Sequence, residues 1–209
     1  MSYRSVFAPS TYEKVIERSR FIADCAHAES EEEARAFLAQ VRARHPLATH
    51  VCYAFVADKA GNLLRFSDDG EPQGTAGMPI LEVLRSKKLR ETVLSVTRYF
   101  GGIKLGAGGL VRAYAGTAAE ALAGAEIREY RVCRTLRVFV GYEQLDALKK
   151  FLAARGAAPA GTAYAGDVCV TLSVPEEEQA AFSAALTDFL AGRVRVAAGE
   201  TGWAAFPAG

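Results

Sequence analysis

Apolar positions recur with two different periods along this chain, and the switches between them predict the order of elements. Residues 19–28, SRFIADCAHA, form the short apolar run of a strand. In ESEEEARAFLAQVRARH the spacing becomes helical, with Ala34, Phe37, Leu38 and Val41 on one stripe. Ser30 followed three residues later by Glu33 predicts a capping box, the acidic first turn suits the positive helix end, and Pro46 marks the stop. THVCYAFVADKAGNLLRFSDDG predicts two strands around the turn KAGN. SDDGEPQGTAGMP has turn formers and no apolar period, so it reads as a loop. MPILEVLRSKK predicts a helix with Pro79 in its first turn, and RETVLSVTRYF a strand. GGLVRAYAGTAAEALAGAE predicts an alanine-rich helix from Leu110, with glycines just ahead of it.

Near Glu129 the pattern restarts. RTLRVFVGY alternates as a strand, and YEQLDALKKFLAARG places Leu145, Leu148, Phe151 and Leu152 inward on a helix that Gly156 ends. GTAYAG and DVCVTLSV predict two strands, PEEEQAAFSAALTDFLAG a helix opened by proline and glutamates, and RVRVAAGE a last strand. This is the βαββαβ order of a ferredoxin-like unit, and the tail TGWAAFPAG reads as irregular. The expectation is an α+β protein of two domains, 1–129 and 130–209.

Composition narrows the function classes. Half of the 209 residues are apolar and the formal net charge is +1, so the chain is no general polycation. It has no apolar run of bilayer length, and MSYRSVFAPSTYEKVIERSRF has no apolar leader core; these features predict a cytoplasmic protein with no membrane association. Cys25, Cys52, Cys133 and Cys169 lie among apolar or β-branched neighbours and read as buried thiols. His27, His45 and His50 share no ligand spacing with them, so neither a metal nor a cofactor is predicted. His50 and Cys52 fall on one strand face, which suits a half-buried strand better than a catalytic dyad. No catalytic residue is predicted.

Two stretches carry the candidate chemistry. In the loop, Asp68, Asp69 and Glu71 suit a structural turn, a partner or ligand contact, or an acid–base pair, in falling order. Downstream, RYFGGIKLGAGGLVRAYAG holds six glycines in nineteen residues, and from Arg85 to Arg112 seven cations face a single Glu91. Glycines before a helix expose amides to an anion, while the same glycines also permit a tight turn against the sheet. The segment lacks the G-K-[ST] of a Walker A loop and the pattern G-x-G-x-x-G. The candidate anion or RNA contacts are Arg98, Tyr99, Gly101, Gly102, Lys104, Gly106, Gly108, Gly109 and Arg112.

These same residues resemble a known family. FSDDGEPQGTAGMPIL followed by VTRYFGGIKLGAGGLVRAY, with SRFIADCA and HVCYAFV upstream, is similar to the signature of the YigZ/IMPACT family over residues 10–128. The resemblance implies an N-terminal ribosomal-protein domain-2-like fold with a left-handed βαβ crossover, and a C-terminal domain like domain V of elongation factor G. It implies a role in regulating translation and no established catalytic set. The leading expectation is a non-enzymatic protein that contacts RNA or the ribosome, with Arg98, Lys104 and Arg112 on phosphates and Tyr99 or Phe100 stacking on bases. The alternatives are a module that docks a translation factor, and a phosphate- or nucleotide-binding enzyme.

Overall fold

The computed structural model describes residues 2–207 and divides them into two compact units, one of Tyr3–Glu129 with residues 206–207 and the other of Tyr130–Ala205 with Ser2. In the first unit the elements are β1 (Ser2–Ala8), β2 (Ser10–Ile16), β3 (Ser19–His27), α1 (Glu31–Arg44), β4 (His50–Val56), β5 (Leu64–Ser67), α2 (Gly77–Ser86), β6 (Thr92–Tyr99) and α3 (Gly106–Ala123). The strands β2-β3-β6-β4-β5 form one sheet in that order, every neighbouring pair antiparallel. The last strand to form in sequence, β6, is therefore central, and its pattern is buried at seven successive residues.

Both faces of this sheet are covered, which explains that unbroken buried run. Phe21, Cys25, Ala54, Leu94 and Val96 point into the larger core with Leu81 and Leu84 of α2 and Tyr114 and Leu122 of α3. Their neighbours Ala26, Phe55 and Val93 point the other way, against Ala34 and Leu38 of α1. The period of two along each strand thus sorts side chains between two helical layers. The Ser30 hydroxyl accepts from the Glu33 amide at 3.2 Å, as the sequence predicts. Glu33 reaches back one residue further than in the usual box, to the Glu29 amide at 2.8 Å.

The second unit contains the C-terminal part of β7 (Glu126–Val140), then α4 (Leu145–Ala154), β8 (Gly161–Tyr164), β9 (Val168–Pro175), α5 (Gln179–Phe189) and β10 (Arg195–Pro207). β7 pairs with β9 and with β10, and β9 pairs with β8. Counted within the unit this is the order 4-1-3-2, the ferredoxin-like arrangement. Leu136, Val138, Val170 and Leu172 pack with Leu148, Phe151 and Leu186 from the helices.

Two expectations need correction. The tail is not irregular: β10 continues through Trp203 to Pro207, because a strand that alternates half-buried and exposed residues gives only a faint apolar signal. The α3 helix starts at Gly106 and not at Leu110, so Gly106, Gly108 and Gly109 form its first turn and do not precede it. Glycine's low helix propensity hides this start in the sequence. The opening residues, for which the apolar pattern predicts no element, are two strands, β1 and β2. The cysteines lie in strands, three buried and Cys169 half-buried, and all are free thiols.

Candidate functional site

The acidic loop and the glycine-rich stretch meet at one end of the sheet. Register brings this about: on β6, Arg98 stands opposite Phe21 of β3 and opposite His50 of β4. These three side chains share the face that α2 and α3 cover, and the loop after β5 folds over them. Glu71 is buried, and its Oε1 accepts from Arg98 at 2.7 Å and from the Tyr114 hydroxyl of α3 at 2.7 Å. His50 Nε2 is 3.9 Å from the same oxygen. Arg98 also donates to the Ser19 hydroxyl at 3.2 Å. Its guanidinium lies 5.4 Å from the ring centre of Phe21 and 5.2 Å from that of Phe100, within cation–π range.

The two aspartates fasten the loop to its surroundings. Asp68 accepts from the backbone amides of Gly74 at 2.8 Å, Ala76 at 3.0 Å and Gly77 at 2.8 Å, the last two at the start of α2. Asp69 has φ of 47°, a left-handed conformation that aspartate tolerates, and accepts from the Val51 amide at 2.6 Å and from Arg42 at 3.0 Å. His50 Nδ1 is 2.8 Å from the Asp69 carbonyl, and Cys52 donates to the Asp68 carbonyl at 2.9 Å. Burial pushes the Cys52 thiol up to about 12, so at neutral pH it is a protonated hydrogen-bond donor and no nucleophile. Burial, then Cys52 and Glu71 nearby, likewise raises the Tyr114 phenol far above its ordinary range.

The glycine stretch splits into a packed part and an open part. A Cβ on Gly101 would lie 2.0 Å from the Arg18 carbonyl oxygen, and the Gly101 amide donates to Ser19 at 3.2 Å. Gly101 is thus a close-approach residue with its amide engaged. Gly102 and Gly106 have φ of 88° and 69°, and the space where a Cβ would stand is open within 4 Å. Leu105 supplies no side-chain cap to α3, and among the described residues no side chain accepts from the amides of the Gly106–Gly109 turn. Lys104, Gly108 and Arg112 are exposed here, and Gly109 is half-buried against Leu105. Lys104 and Arg112 make no ion pair among the described residues. Tyr99 is half-buried, its hydroxyl 3.0 Å from His45 Nδ1, while Phe100 is 46% exposed.

Comparison with known proteins matches this architecture segment by segment. The model of the Impact N-terminal domain matches residues 17–122, and a domain of unknown function, DUF1949, matches residues 138–193. IMPACT family member YvyE of Bacillus subtilis is 38% identical over 199 residues, 95% of this chain and 92% of the relative. The chain belongs to the IMPACT family. IMPACT family member YigZ of Escherichia coli K12 is 38% identical over 92% of this chain and 96% of its own length. An IMPACT family member of Thermus thermophilus is 58% identical over 108 residues, 52% of this chain. A solved structure described as a hypothetical protein aligns with a TM-score of 0.62 at 38% identity, covering 95% of this chain and 98% of that one.

In this IMPACT family member the candidate residues therefore divide. Arg98, Glu71, Asp68 and Asp69 are tied up in internal contacts, and Arg98 leaves the set of surface cations. Lys104 and Arg112 remain outside, beside the open turn of α3. Sequence reasoning missed Ser19 and Tyr114, which complete the Arg98–Glu71 group. Neither carries a local signal, since Ser19 reads as a strand start and Tyr114 as one more apolar position of a helix.

The Asp68 carboxyl gives a pH-dependent expectation. Burial raises its pKa, but the amides of Gly74, Gly77 and Ala76 outweigh that and leave it below the ordinary value. A depressed folded-state pKa contributes stability above the unfolded value of about 3.9, which is lost as pH falls through the folded value. Asp68→Asn, which sets an amide NH₂ against backbone donors, is expected to cost about 1–3 kcal/mol at pH 7. The cost should begin to shrink below about pH 4, where the unfolded chain's carboxyl takes up its proton, and should disappear as pH falls through the lower folded value. Urea midpoints measured from pH 3 to 7 check this, and a pH-independent cost would contradict it.

Proposed function

We infer that this protein is a non-enzymatic, translation-associated RNA-binding protein whose contact surface is the start of α3. The observation that carries the reading is the open first turn at Gly106–Gly109, uncapped and flanked by the exposed Lys104 and Arg112. Backbone amides at a helix start, the positive end of the helix dipole and two cations together favour phosphate oxygen. Exposed Phe100 offers a ring beside that surface for an unstacked base. Arg18, exposed at the β2–β3 turn, reaches the same end of the unit, since its carbonyl packs on Gly101. The internal Arg98–Glu71 pair then acts as scaffold: it holds the acidic loop and the Phe100 segment in place without touching the ligand.

Fluorescence anisotropy with a labelled single-stranded RNA, repeated across salt concentrations, tests the reading. Wild-type affinity is expected to fall as salt rises, and Lys104→Glu with Arg112→Glu should flatten the log–log slope by about 1.4, at roughly 0.7 per lost phosphate contact. Affinity that ignores salt, or that survives the double reversal unchanged, would sink the proposal.

A further inference from the structure

A second cluster of polar groups lies in the same unit but shares no residue with the candidate site. It joins β1, the end of β3 and the residues just before β6. His27 Nε2 lies 3.3 Å from Glu29 Oε1 and 3.7 Å from Glu91 Oε2. All three ligand-type atoms fall within 4.8 Å of one another. Glu91 is 2% exposed and is held by the Tyr3 hydroxyl on Oε2 and by Lys59, whose Nζ is 3.6 Å from Oε1.

One arrangement of the protons at this cluster leaves His27 Nε2 able to bind a metal ion. The Ser5 hydroxyl has one hydrogen to give, and the Glu91 carbonyl at 3.0 Å is an acceptor only. Ser5 Oγ is also 2.7 Å from His27 Nδ1, so a serine that donates to the carbonyl must accept from Nδ1–H. That leaves Nε2 turned toward two carboxylate oxygens. With the proton on Nδ1, the Nε2 lone pair and the two carboxylates form a donor set that a single cation can share. The separations are 3.3 Å, a long hydrogen bond to Glu29 when Nε2 carries the proton, and 3.7 Å, beyond hydrogen-bond range. They match the spacing of donors around a tetrahedral ion bound at about 2.0–2.1 Å, where ligand atoms stand about 3.4 Å apart.

We propose that His27, Glu29 and Glu91 bind a divalent transition-metal ion of the Zn²⁺ class, His27 through Nε2 and each glutamate through one oxygen. Ser5 fixes the imidazole tautomer, and Tyr3 and Lys59 orient the Glu91 carboxylate, the supporting contacts that such sites use. One imidazole with two carboxylates suits Zn²⁺ or its neighbours in the series and gives no thiolate. Glu29 is exposed, so the ion enters from solvent and water completes its shell. Bound metal would clasp β1 and the segment before β6 to the end of β3, independently of RNA binding.

The test uses the full chain dialysed against a chelator. Calorimetric titration with Zn²⁺ is expected to show one ion per chain. Co²⁺ in its place should give weak visible bands with no thiolate charge-transfer absorption. Glu29→Gln, a surface change that leaves the fold intact, is expected to weaken Zn²⁺ binding by about tenfold or more, and His27→Gln, checked for folding by circular dichroism, should do the same. Failure of the wild-type chain to take up Zn²⁺, a thiolate band with Co²⁺, or equal affinity in the Glu29→Gln chain would each overturn the proposal.

Discussion

Arg98→Ala is expected to destabilise the first unit by about 3–5 kcal/mol, the cost of leaving a buried charge without its partner. Arg98 and Glu71 are 2.7 Å apart with side chains only 5% and 4% exposed, so water cannot replace the lost guanidinium. Truncation would also strip the Ser19 hydroxyl of a donor and empty the space between Phe21 and Phe100. The ion pair itself need not be worth so much. Its desolvation cost offsets most of its attraction, and the penalty arises from breaking one half. A paired change separates the two effects. Arg98→Met with Glu71→Gln removes both charges yet keeps an acceptor for Tyr114, and should recover about 1–3 kcal/mol relative to the sum of the single changes. The sole tryptophan, Trp203, lies in the other unit, so hydrogen exchange at β6 amides is the suitable probe. A loss under about 1 kcal/mol for Arg98→Ala would mean that the guanidinium is not held as described.

Neighbouring glycines should respond very differently to the same methyl group. Gly101→Ala would drive a Cβ to 2.0 Å from the Arg18 carbonyl oxygen and 2.6 Å from the Ser19 amide nitrogen. Those are backbone atoms of the β2–β3 connection, which cannot swing aside as a side chain does. The expected cost is about 3 kcal/mol, at the upper end for overpacking, with the Ser19 contact to Arg98 disturbed as well. Gly102→Ala meets no atom within 4 Å but must adopt φ of 88°, and the left-handed penalty for an L-residue is about 1–2 kcal/mol. Equilibrium unfolding of both variants, with RNA affinity measured beside it, distinguishes packing from contact. Equal losses at the two positions would contradict the division of this stretch into a packed and an open part.

How much of this was legible in the sequence depends on how local each signal is. The α+β class, the capped helix at Ser30 and the two motifs that mark the IMPACT family all rest on short-range patterns, and they read directly. The start of α3 and the strand character of the C-terminal tail did not, because glycine propensity masks the one and sparse alternation the other. The acidic loop was legible as a turn from its Asp-Gly chemistry, while the specific anchoring of Asp68 to the first amides of α2 was not.

Residue order by itself determined which segments bury one face, which bury two, and where glycine and acidic residues gather, since these follow from side-chain period and backbone allowance over a few positions. Only the tertiary structure decided which charges face water. Arg98 and Lys104 look alike along the chain, yet the pairing of β6 with β3 and β4 turns one toward Glu71, 27 residues away, and leaves the other outside. Likewise His27 and Glu29 stand two apart in sequence, but Glu91 joins them only through the sheet. The physical reason is the same in both cases: a charge takes its character from the dielectric and the partners around it, and long-range strand pairing supplies both.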